Sequence, residues 1–209
     1  LSFDRIRSIH LDGQGNLWFG TFFGGVSRFT DRAFSYHNES SGLRGTIVQA
    51  LASRPAGDGE YVAVGTWEGL TRFGEYDQVV HYDTLETLLS SVVTALVYDR
   101  RGRLWVGYDE PGVTWIREPF WDHITRRDGL LKSPTRQLAV DSKNRIWILQ
   151  KSGKVRVIAR DYVMTPRYFP VLNELEGYSF SRMCADPEGE RIWFLTGDGQ
   201  LLLYQNERV

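Results

Sequence analysis

The chain has 209 residues, with 25 basic and 26 acidic side chains and a formal charge of −1. This balance argues against an electrostatic nucleic-acid binder, which needs a basic excess. A content of 42% apolar and 24% charged residues is typical of a folded globular protein, and no apolar run approaches the roughly 18 residues of a membrane span. The single cysteine, Cys184, excludes an intrachain disulfide and a cysteine-based zinc site.

One short phrase recurs along the whole chain. It reads Asn-Leu-Trp-Phe-Gly-Thr at residues 16–21 and returns four times at intervals of 42 to 46 residues. Its central positions are Trp18, Ala63, Trp105, Trp147 and Trp193. An aspartate stands six residues before three of the tryptophans and seven before the last, at Asp12, Asp99, Asp141 and Asp186. We call these two positions the frame Trp and the frame Asp; their period predicts a repeat protein.

Each copy divides into short β-branched and aromatic runs separated by turn residues. In the first copy the predicted strands are Arg7–Leu11, Asn16–Thr21, Gly25–Thr30 and Ala33–His37. In the third copy they are Val93–Tyr98, Arg103–Tyr108, Gly112–Arg117 and Trp121–Thr125. The last copy has a third strand at Gln200–Gln205 and no recognisable fourth.

Four strands in about 42 residues describe one propeller blade. The sequence therefore predicts an all-β β-propeller with five four-stranded blade repeats, the last incomplete. Its repeats are approximately 1–42, 43–87, 88–129, 130–174 and 175–209. Closed propellers usually interlock their first and last blades, and the strand for that purpose is missing here. We therefore expect a segment of a larger, six- to eight-bladed propeller, with a five-bladed ring as the alternative.

The phrase from Ile6 through Phe29, I-x-S-I-x-x-D-x-x-G-x-L-W-x-G-T-x-x-G-G-V-x-R-F, resembles the two-component regulator propeller repeat. Copy two departs from it by losing both frame residues and inserting Ala56–Glu60. The resemblance implies the sensor region of a bacterial signalling or surface protein in an extracytoplasmic, periplasmic location. In that family the propeller precedes a small sandwich domain, a membrane span and a kinase, so a homodimer through the parent protein is a further expectation.

Candidate binding residues lie on the loops that join the second and third strands of each copy, because these loops share the ligand face of a propeller. They are Phe22, Phe23, Trp67, Glu68, Asp109, Glu110 and Lys151. Aromatic rings and polar groups around a central funnel can bind a carbohydrate, a peptide or a partner domain. The alternative is that Phe22 and Trp67 only cover the ends of their blades.

Two further tryptophans, Trp115 and Trp121, fall outside the frame on the third and fourth strands of copy three. Exposed on the rim, they would form an interface with another domain or chain. Buried, they would pack between blades. Rim exposure would favour an alternative function, a structural propeller that mediates subunit assembly.

No metal, cofactor or catalytic set is predicted. His37, His81 and His123 fall on fourth strands of different blades, too far apart to converge on one ion, and His10 stands alone on an inner strand. Streptogramin lyases share a similar propeller repeat and use a His–Glu arrangement with magnesium in the funnel. Here the funnel loops offer Glu68, Asp109 and Glu110 without a histidine. A lyase or hydrolase is therefore the second alternative to a non-catalytic binding module.

Overall fold

The computed structural model describes residues 4–54, 61–74, 78–84, 86–186 and 188–209, which form five antiparallel sheets. The first sheet comprises β1 (Ile6–Leu11), β2 (Leu17–Thr21), β3 (Val26–Thr30) and β4 (Ala33–His37). The second comprises β5 (Val48–Ser53), β6 (Val62–Thr66), β7 (Leu70–Phe73) and β8 (Val79–Tyr82). The third comprises β9 (Val93–Tyr98), β10 (Leu104–Tyr108), β11 (Val113–Arg117) and β12 (Phe120–Ile124). The fourth comprises β13 (Thr135–Val140), β14 (Ile146–Gln150), β15 (Val155–Ala159) and β16 (Tyr162–Val163). The fifth comprises β17 (Phe180–Ala185), β18 (Arg191–Thr196) and β19 (Leu201–Gln205).

The arrangement is that of a propeller with five blades. Within each sheet the strands are hydrogen-bonded in chain order, and the first strands of successive sheets pack side by side, β1 on β5, β5 on β9, β9 on β13 and β13 on β17. The all-β, five-bladed prediction and the incomplete last blade are confirmed. The strand limits predicted for copies one and three lie within one residue of the observed ones. The insertion at Ala56–Glu60 lies outside the described residues.

One element was not predicted. A short helix, α1 (Val171–Glu176), follows the two-residue strand β16 and buries Val171, Leu172 and Leu175 against sheets four and five. Six residues are too few to show a helical period in the sequence. Single 3-10 turns cover Glu39–Ser41 and Arg126–Asp128 at the junctions between sheets, each closed by a glycine in the left-handed region.

The frame Asp and frame Trp form one hydrogen-bonded unit in sheets one, three and four. The carboxylate accepts the backbone N–H groups of the second and fourth residues after it, as predicted for a turn aspartate. It also accepts the indole N–H, which the sequence did not indicate. The Nε1–Oδ2 distances are 2.7 Å for Trp18–Asp12, 3.1 Å for Trp105–Asp99 and 2.9 Å for Trp147–Asp141. The turn therefore fixes the ring that fills the space between sheets.

The glycine two residues after the frame Trp permits the next sheet to approach. A Cβ built on Gly107 would lie 2.4 Å from Thr135 Cγ2, and one on Gly20 would lie 2.5 Å from Val48 Cγ1. Both contacts are with the first strand of the following sheet. In sheet four Leu149 stands at this position and is itself fully buried among the residues between sheets four and five.

The two end faces of the five-sheet array differ from the internal ones. Each frame side chain packs on the following sheet, so Trp105 and Trp147 are 0% exposed, whereas Trp193 is partly exposed. On the first sheet, Ile9 is 62% exposed although its repeat equivalent in sheet two, Leu51, is buried. Within the described ranges no further sheet covers these faces. The larger propeller stays a prediction.

Candidate functional site: the central funnel

A β-bulge interrupts every first strand at its second residue. In β1 the pairing with β2 passes from Ile6 directly to Ser8, so Arg7 has no cross-strand partner. The same step occurs in the other four sheets, leaving Gln49, Thr94, Arg136 and Ser181 unpaired. A bulge redirects the side chain of the extra residue. We call these five positions the bulge residues.

A repeated backbone hydrogen bond holds the second-to-third loops beside the bulges. The first residue of the loop donates its N–H to the carbonyl two residues before the bulge residue. The N···O distances are 3.0 Å for Phe22–Arg5, 3.2 Å for Asp109–Val92 and 2.8 Å for Lys151–Pro134. Loop residue and bulge residue are thereby brought to the same end of the sheet.

The result is a funnel cavity of about 410 Å³ at the ends of the first strands. Its lining comprises Arg7, Gln49, Trp67, Val92, Thr94, Asp109, Thr135, Arg136 and Lys151. Four of these are bulge residues. Three cationic side chains face one carboxylate, and the Trp67 side chain is 48% exposed. The cavity therefore offers hydrogen-bond donors, a net positive charge and an aromatic face.

Several of the polar side chains are already oriented. The Arg136 guanidinium donates to the Ser181 carbonyl at 3.1 Å and to the Lys151 carbonyl at 3.3 Å. The Ser90 hydroxyl donates to Asp109 Oδ1 at 2.9 Å. Such contacts reduce the number of rotamers that a ligand would have to fix on binding.

The structure brings three of the seven predicted loop residues, Trp67, Asp109 and Lys151, into this cavity. Phe22 lies beneath the guanidinium groups of Arg5 and Arg7, at 4.6 and 4.5 Å from its ring centroid. It therefore supports Arg7 and is not part of the lining. Phe23 packs edge-on against Phe22 at 4.3 Å and is 53% exposed.

The two predicted glutamates lie away from the cavity lining. The Glu68 side chain packs over Gly45, where an added Cβ would meet it at 3.0 Å, and Glu110 is exposed. The lyase or hydrolase hypothesis needs at least two convergent acids or a bound metal in the funnel, and the described lining of the funnel holds one acid, Asp109.

The sequence analysis missed the bulge residues Arg7, Gln49, Thr94 and Arg136. A signal was present: each follows the first residue of an inner strand at the repeat interval, and its identity varies while the residue before it is always β-branched, namely Ile6, Val48, Val93 and Thr135. Alternation alone assigns such a residue to one face of a sheet and cannot reveal that a bulge turns it toward the axis.

The sequence pattern of the two component regulator propeller family matches residues 1–23 and 87–110, which cover the first frame unit and the third. Two segments of the chain, one in the first copy and one in the third, are therefore similar to the two-component regulator propeller repeat. Among curated proteins none is similar enough in sequence to count as a match.

Solved structures show the same fold. The extracellular domains of two hybrid two-component systems of B. thetaiotaomicron superpose with TM-scores of 0.69 and 0.74 at 20% and 17% identity. The superposition covers 96% and 97% of this chain but only 29% and 31% of theirs, so the chain spans about a third of their length. Virginiamycin B lyase of Staphylococcus aureus superposes with a TM-score of 0.71 at 12% identity, over 93% of this chain and 64% of the lyase.

The two tryptophans outside the frame differ in their exposure on the rim of the propeller. Trp115 is partly buried, packs against the cluster that contains Trp105, and lies 5.3 Å from the Arg103 guanidinium. Trp121 is 43% exposed beside the exposed Phe120. A rim interface would therefore use Trp121.

The histidines lie where the repeat predicts, His37 on β4, His81 on β8 and His123 on β12. Over the described residues, no group of three His, Cys, Asp or Glu side chains is placed to hold a metal ion. The one α-helix described, α1, is far too short to span a membrane.

Proposed function

We propose that this chain is a ligand-binding propeller of an extracytoplasmic bacterial sensor and that the funnel cavity is its binding site. The observation that carries the proposal is the convergence of four bulge residues and Trp67 on one cavity. The similar extracellular domains of two-component systems support the extracytoplasmic location and the sensor role.

The chemistry of the cavity favours a carbohydrate that carries carboxylates. The exposed indole of Trp67 offers a face on which a sugar ring can stack. Arg7, Arg136 and Lys151 supply charge-assisted hydrogen bonds to carboxylate groups. Gln49 and Thr94 add polar groups suited to hydroxyls. An acidic peptide is the second ligand class that this set would accept.

Binding would be non-catalytic. A single carboxylate in the described lining does not provide the acid and base pair of glycoside chemistry. Asp109 is engaged by Ser90, which suits a role in orienting a hydroxyl or in rejecting a misplaced anion.

The test is a binding titration with hexagalacturonate as the acidic oligosaccharide and cellohexaose as its neutral counterpart. We expect the acidic sugar to bind more tightly, and Trp67→Ala to reduce that affinity by at least tenfold while the Tm stays nearly unchanged. A stacked ring contributes about 1 kcal/mol beyond its buried area, and the area itself adds a similar amount.

Trp121→Ala is the matched control, because Trp121 has nearly the same exposure, 43% against 48%, and lies on the rim. Equal affinity losses in the two variants would contradict the funnel assignment. Tight binding of an acidic peptide together with no sugar binding would keep the site and change its ligand class.

One observation favours a second function, subunit assembly. Phe120 and Trp121 are adjacent on β12 and are 69% and 43% exposed. Successive strand residues point to opposite faces, so β12 exposes one aromatic ring on each side of the blade edge, and exposed aromatic rings are enriched in protein contacts. Loss of self-association in a Phe120→Ser/Trp121→Ser variant, measured by sedimentation, would support it.

A further inference from the structure

The five-sheet array ends on two apolar faces that differ from each other. Each sheet has one face with the frame Trp position, which we call the frame face, and an opposite face, which we call the receiving face. At the four internal junctions the frame face of one sheet packs on the receiving face of the next. The array therefore ends on the receiving face of the first sheet and on the frame face of the fifth.

The junction between the fourth and fifth sheets shows which side chains such a contact uses. Its core joins one set of buried residues from the frame face of sheet four to a second set from the receiving face of sheet five. The first set is Ala139, Trp147, Leu149, Val155 and Val157, and the second is Met183, Ile192, Phe194 and Tyr204. The junction is thus apolar and aromatic on both sides.

The frame face of sheet five repeats the first set and is open. The strand register places the equivalent positions at Cys184, Trp193, Leu195, Leu201 and Leu203. Leu195 is 37% exposed and Leu201 is 64% exposed, whereas Leu149 and Val155 at the same positions of sheet four are buried. This face has the composition of one half of an internal junction.

The receiving face of sheet one repeats the second set and is also open. Its equivalent positions are Ile9, Leu17, Phe19 and Phe29. Ile9 is 62% exposed, whereas Met183 at the same position of sheet five is buried. Phe34 of β4 stands opposite Phe29, with 4.8 Å between the ring centroids, and extends the apolar surface to the outer strand. This face has the composition of the other half.

We propose that a second copy of this chain covers these faces, with the frame face of sheet five in one copy packed on the receiving face of sheet one in the next. The exposure of Ile9 and Leu201 shows that the two faces do not meet within one chain. Contiguous exposed apolar surface of this kind marks an interaction site. The proposal concerns a surface other than the funnel and does not rest on the function proposed for it.

The repeat argues for this head-to-tail arrangement over a symmetric one. A second copy already carries the side chains that match each face, because the same two sets pack together between sheets four and five. Packing two frame faces on each other would oppose two Trp193 rings, an arrangement that none of the internal junctions uses. Contacts between unlike faces generate rings or open assemblies, according to whether the rotation closes.

The experiment is sedimentation equilibrium of the chain over a range of concentrations, for which we expect a mean mass that rises with concentration. Ile9→Glu on the receiving face and Leu201→Glu on the frame face change side chains of nearly equal exposure. Each places an unpaired charge in one half of the contact, so each variant alone should associate at least about tenfold more weakly. Because both side chains are exposed in the single chain, the Tm should stay nearly unchanged.

An equal mixture of the two variants distinguishes the proposed contact from other modes of association. The frame face of the Ile9→Glu chain and the receiving face of the Leu201→Glu chain are both intact. The mixture should therefore form 1:1 dimers and nothing larger. Association through the rim would not give this result, because Trp121 and Phe120 are unchanged in both variants and each variant would then associate by itself.

Tyr168→Glu is the matched control, because Tyr168 is 69% exposed and lies in the segment between β16 and α1. This variant should associate like the wild-type chain, and equal weakening would show a general effect of charge and overturn the proposal. The proposal is also overturned if the wild-type chain is monomeric at every concentration, if either end-face variant associates normally by itself, or if the mixture stays monomeric.

Discussion

The space between sheets and the funnel are built from the same repeat, but they differ in how constant their residues are from copy to copy. Between the sheets, the frame Asp and frame Trp recur as the same pair because turn, indole and neighbouring sheet must fit together. In the funnel, the bulge residues are Arg, Gln, Thr, Arg and Ser, and four of the five line the cavity. Packing determines which residues occur at the frame positions, whereas the residue at a bulge position is free to vary. Substitutions should therefore separate stability from recognition.

The largest effect is expected between sheets four and five. Trp147 is 0% exposed and packs against the rings of Phe194 and Tyr204, with distances between ring centroids of 5.8 and 4.6 Å. Trp147→Ala should lower the free energy of unfolding by about 3–5 kcal/mol, measured by urea denaturation. Trp193→Ala, at the partly exposed equivalent on the end face, should lower it by less than half as much. Equal losses would mean that the frame Trp acts within its own sheet.

An intermediate effect is expected at Asp99, which bonds both Arg103 and Trp105. Burial opposes ionisation of Asp99, but those hydrogen bonds hold its pKa below the ordinary value. Asp99→Asn should cost about 2 kcal/mol at pH 7, because it removes the buried one of the two carboxylates that pair with Arg103 and leaves only the half-exposed Asp161.

The pH dependence of the unfolding free energy tests whether the charge of Asp99 is the cause of this loss. A carboxylate with a lowered pKa stabilises the fold above its unfolded pKa of about 3.9, and this contribution is lost as the pH falls through the folded pKa. Unfolding free energies measured from pH 7 to pH 2 should therefore converge for the wild-type chain and Asp99→Asn at the acid end. A constant gap would show that charge is not the reason.

The smallest effect is expected at the bulges. Gln49→Ala should change the unfolding free energy by no more than about 0.5 kcal/mol, because the side chain lines the funnel cavity outside the packed core. A loss above 1 kcal/mol would show that the bulge residues stabilise the fold, and the difference between funnel and packing positions would then not hold.

Much of the fold could be predicted from the sequence because packing and turn formation require the same residue types at the same position of each repeat. The strands of copies one and three were located to within one residue, and Asp12 and Asp99 were assigned to their turns. The bond from Asp99 to the Trp105 indole was not foreseen, since a spacing of six residues has no fixed geometry across a turn.

The candidate site was predicted only in part. The loop positions of Trp67, Asp109 and Lys151 follow from blade topology, whereas Arg7 and Arg136 reach the funnel through a bulge that no hydrophobic pattern encodes.

The bulges have a consequence for how such a protein can change over generations. A residue outside the ladder of cross-strand pairs can be exchanged without altering the register of its strand. Four of the blades thus contribute one interchangeable position each to the lining of the funnel, and a new specificity can arise by exchanging the residues at these positions. A library randomised at these four codons would sample recognition surfaces on an unchanged scaffold.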